Sequence, residues 1–538
     1  MPVSLQKRCS GATALALAVG MNIANPVAGL CQPTGSGSQA TGGAGTEVGR
    51  AETSSEQVVA ELKRLQAQIK ADAQSLSLKE AITLGLQRNP ELLQAFSAIQ
   101  QFEWQLIAAQ RRWYPTLQLQ NGSPFIGSSW QTFVSNNYAT PAAQLNQLNQ
   151  PRKQSRKTRQ LVVQPGAVAS WNVIDPTRQP NINAAASSLQ QQKYLFDVSA
   201  RNLILRIQEA YHGLQSSQEL IESFQQIYQI NKTQLDILEA RKSIGMVTVL
   251  DVEQTRSQLF AQLNELVLYT RNYIAQAATL AEVLALPRGQ LAIPSEQAEP
   301  QNPWPLPLQD TVSRAVEQRE EILASLAAAE AADWAGVTAL RSYLPVFSLL
   351  ASGNLNGSNG YQNVPVSIDP GNSYVRNRQW TAAVGVGFNW SIFDGGIQAA
   401  NAQAARAQAR QQTAQAATTE LQVIQQVRSS YGQMQTARVA VNSAREAYRS
   451  AQLAQEAARA RFEVGVGDIT SVVQTIQQLS QAAQQQAQAV LSYNNAVSQL
   501  YRYSATWPGE TEQVVEQRIE TMRTNPQPVN VTAGGVGR

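Results

Sequence analysis

The sequence contains one helical hairpin twice, and this duplication limits the possible folds more than any other feature. The first hairpin is a helical run that ends at Gly245, followed by a second run that ends near Leu286. The pattern returns 220 residues later, because segment 240–245 aligns with segment 460–465. A chain of 538 residues would ordinarily contain several globular domains, but so long a duplication indicates one architecture built twice.

Each long helix carries an apolar or aromatic residue at every seventh position. The first series is Ile207, Leu214, Ile221 and Tyr228, and the second is Val427, Met434, Val441 and Tyr448. A seven-residue repeat keeps one narrow stripe against a neighbouring helix, as in a coiled coil. The other helix faces are rich in Ala and Gln, so we predict long paired helices with neutral polar surfaces.

The net charge is small for a chain of this length. It is +4 at pH 7 with 15% charged residues, and no helix-turn-helix or aromatic-basic RNA motif accompanies it. We therefore predict no nucleic-acid partner.

The N-terminus has the pattern of a secretory signal. A weakly apolar run over 11–24 follows two basic residues and is too short to span a membrane, and small residues then permit cleavage after Gly29. Lipidation of Cys31 stays open, since Leu30 occupies a position where a small residue is expected. The mature chain keeps one cysteine, which excludes an internal disulfide.

After each first helix the sequence period changes from helical to two, which predicts strands. The clearest run alternates large apolar with small or polar residues. The large residues that we predict to face lipid are Trp380, Val384, Val386, Phe388 and Trp390. Such a sheet ordinarily packs on a soluble core, but these helices use their apolar stripes on one another. Four strands are too few to close, so the pattern favours lipid contact and a barrel shared by several chains.

The helix lengths agree with one topology. At about 1.5 Å per residue, the first long helix spans roughly 100 Å and the two shorter helices of its repeat span about 51 and 57 Å. The shorter helices therefore fit end to end along the long one.

These patterns divide the chain into predicted segments. Before and within the first repeat they are a signal peptide 1–29, a disordered leader with a short helix 30–75, and a repeat 76–286 with helix 78–112, strands 115–134 and 161–174, long helix 176–244 and helix 248–286. They continue with a proline-rich linker 287–305, a second repeat 306–506 with helix 308–341, strands 345–357 and 379–393, long helix 395–464 and helix 468–506, and a C-terminal tail 507–538.

A basic run, Arg152 to Arg159, lies in the predicted loop of the first strand pair. Its five positive charges could contact anionic lipid headgroups or polysaccharide, but a solvated surface loop is the more common explanation of such a run. Both interpretations stay open.

Over about residues 76 to 506 the chain resembles the TolC family of outer-membrane efflux proteins. The resemblance rests on the order helix, strand pair, long helix, glycine turn and shorter helix, which occurs twice, with Arg-x-x-x-Gly at each tip. It implies a mixed α/β membrane protein: a homotrimeric transmembrane β-barrel with four strands per chain, twelve in all, continued by a long α-helical coiled-coil barrel. It also implies a place in the outer membrane with an extension into the periplasm.

The resemblance further implies a passive exit duct of a tripartite efflux or type I secretion system. Its partners would be a periplasmic membrane-fusion adaptor, an inner-membrane pump or ABC transporter, and outer-membrane lipid. No cofactor is implied.

The sequence favours a protein that is not an enzyme. Its single histidine, His212, lies next to Tyr211 of the apolar stripe, which suits a packing or solvated residue. No Cys/His cluster for a metal, nucleophile-base pattern or phosphate-binding glycine loop is present in the sequence. A periplasmic coiled-coil adaptor or scaffold is the alternative, but it would show one hairpin flanked by globular β domains.

The glycine turns at the two hairpin tips are the candidate functional sites. Glycine at a helix end and Thr or Asp capping the next helix are ordinary features of a helical hairpin. In the family these turns dock the adaptor and narrow the periplasmic entrance, so the resemblance implies both roles here. The docking residues are Gly245, Thr248, Asp251, Val252, Gly465, Asp468, Ile469 and Thr470. The entrance residues are Asp251, Ser471 and Gln474.

One departure from the family concerns the charge of the entrance. Well-known members carry acidic residues six and nine positions after the second tip glycine, where this chain has Ser471 and Gln474. Asp251 holds only the corresponding place in the first repeat. We therefore expect a closed entrance that is weakly charged and at most weakly cation-selective.

Overall fold

The computed structural model describes residues 55–135, 152–363, 372–509 and 511–524. The expected signal peptide, Cys31 and most of the leader lie outside the described residues, as do the connection within each strand hairpin and the end of the C-terminal tail.

The described part of the chain is mainly helical. Its first half contains helices α1 (Ser55–Asp72), α2 (Leu78–Arg88), α3 (Pro90–Arg111), α4 (Arg178–Ser243) and α5 (Val249–Val283). Its second half contains α6 (Leu308–Gln318), α7 (Glu320–Arg341), α8 (Ile397–Glu463), α9 (Ile469–Tyr503) and α10 (Thr511–Thr524). The strands are β1 (Ala73–Leu76), β2 (Thr116–Ser135), β3 (Arg152–Ile174), β4 (Leu291–Pro294), β5 (Val346–Asn363) and β6 (Asn372–Asn389). Within these ranges, no helix combines the length and apolar composition needed to cross a membrane.

The seven-residue stripes are buried between helices. Helix α4 packs against α3 and α5, and α8 packs against α7 and α9. The buried stripe residues are Ile207, Leu214, Ile221 and Tyr228 on α4, with Val427, Met434 and Val441 on α8. Within its own repeat, each long helix therefore packs against two shorter helices.

In each repeat, the two shorter helices meet at a break in the first of them. The helices expected over 78–112 and 308–341 are each divided, at Asn89 and at Arg319. Asn89 donates from Nδ2 to the carbonyl oxygen of Val283 at the end of α5, over 2.8 Å. Arg319 donates from Nη1 to the carbonyl oxygen of Tyr503 at the end of α9, over 3.0 Å. Both contacts satisfy carbonyls that a helix end leaves without a partner.

Buried charges surround the second break. The carboxylate of Glu321 contacts Arg502 and lies 2.8 Å from Arg319 Nε. Beside it, Arg201 Nε lies 2.7 Å from Glu320 Oε1. Burial alone would raise the pKa of Glu321, but the hydrogen bond from Arg319 and the charges of both its arginines outweigh burial and lower the pKa to about 2. The sequence pattern did not predict this cluster.

The linker 287–305 is fastened to both halves by side-chain hydrogen bonds. Gln215 on α4 donates from Nε2 to the carbonyl oxygen of Gln297 over 3.1 Å. Asn494 on α9 accepts from the backbone N–H of Gln301 over 2.9 Å. The linker therefore lies between α4 and α9 rather than looping away from them.

Strands β2, β3, β5 and β6 form one antiparallel sheet in that order. Trp171 pairs with Leu349, which pairs with Val386, and Leu355 pairs with Trp380. Residues directly opposite one another in an antiparallel pair share a face of the sheet. The apolar face that the sequence predicts within single strands therefore continues across β3, β5 and β6.

Both strand hairpins are longer than the sequence indicates. The basic run expected in a loop belongs to β3, and Arg159 pairs with Ser128 of β2. Strands β5 and β6 are extended at the same end. These extensions carry polar residues on both faces and show no alternation, although the backbone ladder forms without it.

Three short elements have no clear sequence signal. Strand β1 pairs in parallel with β4, and each has only four residues, too few to show a period. Helix α10 lies in the segment expected as a thinning tail, and it buries Val515 and Met522 against the core of the first half. That core therefore includes residues from near both ends of the described chain.

Candidate functional site: helical tips and an apolar strand face

Each hairpin tip is a helix end closed by a left-handed glycine. Gly245 has φ +73° and Gly465 has φ +79°. The N–H groups of Gly245 and Met246 donate to the carbonyl oxygens of Lys242 and Arg241, both over 3.0 Å. This is the Schellman arrangement, in which a residue with positive φ is usually glycine.

The second tip repeats the arrangement and is tighter. The N–H groups of Gly465 and Val466 donate to the carbonyl oxygens of Phe462 and Arg461, over 3.1 and 3.0 Å. A Cβ at the next glycine, Gly467, would lie 2.9 Å from the backbone nitrogen of Phe462. The chain can therefore pass this close to its own helix only with glycine at 467.

The two tips differ in how the following helix is capped. Thr248 begins α5 with a capping box, since its hydroxyl accepts from the N–H of Asp251 while Asp251 Oδ2 accepts from the N–H of Thr248 over 2.9 Å. Asp468 precedes α9 but makes no side-chain capping bond. The carboxylate of Asp251 is thus engaged in its own helix start.

The predicted docking residues separate into a buried and an exposed group. Val252 is 0% exposed and Ile469 is also buried, in a cluster that joins the two hairpins. These two residues can support the tips only by packing. Those at the surface are Gly245, Thr248, Gly465, Asp468 and Thr470, with Asp251 half-buried.

Apolar side chains at the tips are exposed, and the sequence prediction did not include them. Met246 is 72% exposed and Val466 is 73% exposed, each directly after its tip glycine. The others are Ile244, Val249, Leu250 and Val464. A solvated turn is normally polar, so apolar residues beside both glycines were the available signal.

One arginine joins the tips. Arg241 donates from Nη1 to the carbonyl oxygen of Phe462 over 3.2 Å and from Nη2 to that of Glu463 over 3.0 Å. Its guanidinium also lies 4.7 Å from the ring centroid of Phe462. The end of α4 is therefore fastened to the end of α8, where the helix dipole favours a cation.

The predicted entrance residues are not joined to one another. Ser471 and Gln474 are exposed on the first turns of α9, while Asp251 lies in its capping box. Among the described residues, no hydrogen bond connects Asp251 with either of them. The link between the hairpins at this level is instead the bond from Gln477 Nε2 to Gln258 Oε1, over 2.9 Å.

The strand face that is predicted to contact lipid is exposed to solvent in this single chain. Val384 is 85% exposed, and Trp380, Val386, Phe388 and Trp390 are exposed as well. Strands β2 and β6 are the edges of the sheet, each paired on one side only within the described residues. An apolar face and two open edges leave the sheet incomplete as a soluble structure.

A pair of tryptophans fixes the sheet to the helices below it. Trp171 donates from Nε1 to the carbonyl oxygen of Trp113, and Trp390 donates to that of Tyr343, each over 2.9 Å. Arg178 lies 4.1 Å from the ring centroid of Trp113. Each strand pair therefore enters the helical part through the same indole-to-carbonyl contact.

The single histidine is a packing residue. His212 is buried, its ring contacts Tyr211 edge to face, and its nitrogens lie 3.1 Å from Gln215 Oε1 and 2.9 Å from Gln301 Nε2. Burial lowers its pKa, which disfavours the charged form. In the described part of the chain, no group of His, Cys, Asp and Glu has the arrangement of a metal site.

Comparison with known proteins gives one family and one fold. The sequence profile of the outer membrane efflux protein family matches residues 81–286 and again residues 311–506. None of the curated proteins compared with the chain matches it.

Solved structures share the fold at low sequence identity. The CmeC outer membrane channel of Campylobacter jejuni aligns with a TM-score of 0.63 and 17% identity over 83% of this chain and 90% of that chain. The outer membrane protein VceC of Vibrio cholerae gives 0.59 and 18% over 80% and 96%. The open state of the MtrE outer membrane channel of Neisseria gonorrhoeae gives 0.57 and 17% over 80% and 89%.

Proposed function

The chain belongs to the outer membrane efflux protein family, and from this premise we propose that three copies form one passive duct through the outer membrane and across the periplasm. Membership places the protein in the outer membrane, with a periplasmic extension, as an efflux-type channel. Beyond what family membership shows, we propose the trimer, the closed barrel and the partner proteins. It keeps the two repeats and the domain boundaries predicted from the sequence, including the signal peptide.

The observation that carries the proposal is the open apolar face of a sheet continuous with long helices. Trp380 in β6 and Trp390 directly after its last residue are ten residues apart, or about 34 Å in extended chain. A strand tilt of about 40° reduces this to roughly 26 Å, close to the height of the apolar band of outer-membrane barrels. Both tryptophans therefore suit the two membrane interfaces.

Closure requires further copies of the chain. Four strands leave the edges β2 and β6 unpaired, and unpaired backbone groups are not tolerated in a bilayer. Eight strands would leave an interior filled by side chains, whereas twelve leave room for an aqueous path. The small and polar residues on the second face of β6, Ala383 and Gly385 among them, would line that path.

The helices would continue the duct into the periplasm. Helix α8 exposes Leu421, Val439 and Leu453 along its length, and we assign these apolar side chains to contacts with neighbouring copies. Its Ala- and Gln-rich surface suits a wall in contact with water.

The tips would receive a periplasmic membrane-fusion adaptor. The apolar residues directly before and after Gly245 and Gly465 are exposed, and no described residue of the chain covers them. Energy would come from an inner-membrane pump or ABC transporter in a tripartite efflux or type I secretion system. The same tips would narrow the entrance through packing and neutral hydrogen bonds, since Ser471 and Gln474 carry no charge.

A periplasmic scaffold is the alternative function, and the exposed strand face counts against it. A scaffold would keep its sheets soluble by packing them on a core, whereas Val384 and its neighbours on β6 meet no core.

Fractionation and conductance test the proposal. The protein should be extracted from outer membranes as a heat-resistant trimer and should conduct ions in planar bilayers without nucleotide. Recovery in the soluble periplasmic fraction, or absence of conductance at every voltage, would contradict it. Deletion followed by comparison of drug sensitivity and secreted proteins would then identify the cargo.

A further inference from the structure

The charges of the large sheet are all positive and all lie at one end. Strands β2, β3, β5 and β6, as far as the structure describes them, contain no Asp or Glu. Their cations are the five between Arg152 and Arg159 on β3, and Arg376 and Arg378 on β6. Every one of them lies on the half of its strand that is remote from the helices.

The strand register brings cations of both hairpins to the same level. Arg376 pairs with Asn359 and Arg378 with Gly357 on β5. On the other side of β5, Asn359 pairs with Leu161 and Gly357 with Val163. Arg376 is therefore level with a residue only two positions from Arg159.

The same register assigns these cations to the apolar face. Arg376 and Arg378 lie an even number of residues from Trp380, and Arg159 lies an even number of residues from Leu161 and Trp171. Residues with even spacing along a strand share a face of the sheet. The backbone positions of Lys153 and Lys157 belong to the same face of β3. We call Arg159, Arg376 and Arg378 the outer basic row.

The three arginines of the row are exposed to solvent. Arg159, Arg376 and Arg378 are exposed, and none forms an ion pair with another described residue. Arg378 is the next residue on this face after Trp380, about 7 Å farther along the strand. The apolar face thus passes directly into a cationic one.

We propose that the outer basic row binds the phosphate groups of anionic lipids in the membrane leaflet farther from the helical tips. The proposal rests on the proposed function, since it requires the sheet to cross the outer membrane. A lipid fits because acyl chains on Trp380 and Val384 place a headgroup at Arg378, and guanidinium groups bind phosphate through paired hydrogen bonds. A soluble polysaccharide would use the cations but not the adjoining apolar face.

Lipid retention by the purified full-length protein tests the row. Native mass spectrometry of detergent-solubilised protein would be titrated with a phosphatidylglycerol and with a phosphatidylcholine of the same acyl chains. Wild-type protein should retain the anionic lipid at least about fivefold better, the effect expected from a single cation near a headgroup. The triple variant R159Q/R376Q/R378Q should lose this preference.

A matched variant removes charge elsewhere. Arg406 and Arg410 are exposed near the start of α8, on the helical side of the sheet, and R406Q/R410Q should keep the lipid preference. If the triple glutamine variant does not assemble, R159K/R376K/R378K keeps the charge and should retain most of the preference. A triple variant with wild-type preference, or a wild type without preference, overturns the inference.

Other outcomes separate this inference from the proposed function. If the protein inserts into vesicles of both lipids and binds the two lipids equally, the lipid-binding role of the outer basic row is rejected and the membrane channel is not. Failure to insert into either kind of vesicle rejects the membrane channel, and the row with it. Stronger binding of dextran sulfate than of phosphatidylglycerol, lost in the triple variant, assigns the row to a polysaccharide and overturns the lipid assignment.

Discussion

Arg241 at the end of α4 caps the end of α8 through two carbonyl oxygens and lies over the ring of Phe462. The aligned arginine of the second tip, Arg461, makes no side-chain hydrogen bond to another described residue. The ends of the two long helices are thus joined by one arginine and not by a symmetric pair.

Replacement of Arg241 with alanine should loosen the tips. The lost bonds to a charged donor correspond to about 1.5 kcal/mol or more, roughly tenfold in the equilibrium between closed and open entrances. We expect higher single-channel conductance in planar bilayers. Arg461→Ala is the control and should behave as wild type, and equal conductance of both variants would show that the Arg241 contacts do not hold the entrance closed.

Valine at either tip glycine should disrupt docking while the channel still assembles. Gly245 and Gly465 have positive φ, which costs a residue with a side chain about 1–2 kcal/mol and a β-branched residue more. We expect loss of dye efflux with heat-resistant oligomers still in the outer membrane. Gly432→Ala, in α8 with open space around it, should keep efflux. Normal efflux in both valine variants would remove the tips from the docking surface.

Alanine in place of Asp251 should affect stability more than ion selectivity. The substitution removes a capping box at the start of α5, which costs about 1 kcal/mol. Bi-ionic reversal potentials should change little, because the carboxylate is engaged with Thr248. Asp468→Ala removes a residue with no capping bond and should leave the unfolding midpoint unchanged. Full opening by Asp251→Ala would contradict a weakly charged entrance.

The Glu321 cluster should make stability depend on acid pH. Its folded pKa, about 2, lies below the ordinary 4.5, so its contribution is complete above about pH 4.5 and is lost as pH falls toward 2. Glu321→Gln should lower the free energy of unfolding by about 3 kcal/mol at pH 7 and by progressively less below pH 4.5. Denaturation followed by circular dichroism measures this. Exposed Glu317→Gln should have little effect at any pH, and an equal loss at pH 2.5 and 7 for Glu321→Gln would exclude an ionic role.

Arginine on the two faces of β6 should have opposite consequences. Val384 pairs with Ala351 on the apolar face, and Ala383 pairs with Ser352 on the other. Val384→Arg should destabilise the membrane-inserted form by about 2–4 kcal/mol and reduce the trimer in outer-membrane fractions. Ala383→Arg should assemble and lower conductance to cations. The reverse result would assign the Val384 face to water and the Ala383 face to lipid.

The sequence predicts those parts of the fold that repeat with a regular period. The stripe from Ile207 to Tyr228 is buried, because packing between helices selects an apolar residue every seven positions. The alternation around Val384 predicts a strand, and β6 forms there, while contact of its apolar face with lipid stays a prediction. The tip glycines were likewise evident, because a left-handed helix end favours glycine.

Contacts between distant segments have no such period. The bonds from Arg241 to the end of α8, and from Arg319 and Arg502 to Glu321, join residues that only the folded chain brings together. The basic residues of β3 were expected in a loop because an all-polar strand shows no alternation. The predicted docking residues did not include exposed Met246 and Val466, because the residues of a solvated turn are ordinarily polar.

The pairing of β1 with β4 has a consequence for the order of folding. Ala73 pairs with Leu291, so β1 has no ladder partner until more than two hundred further residues have been exported. The last described helix delays completion further, since Arg523 of α10 lies 3.0 Å from Glu103 of α3. Contacts of such sequence separation form slowly, because loop closure precedes them. The first half therefore completes its folding only after α10 has packed against it. A chain truncated before α10 should remain sensitive to periplasmic proteases.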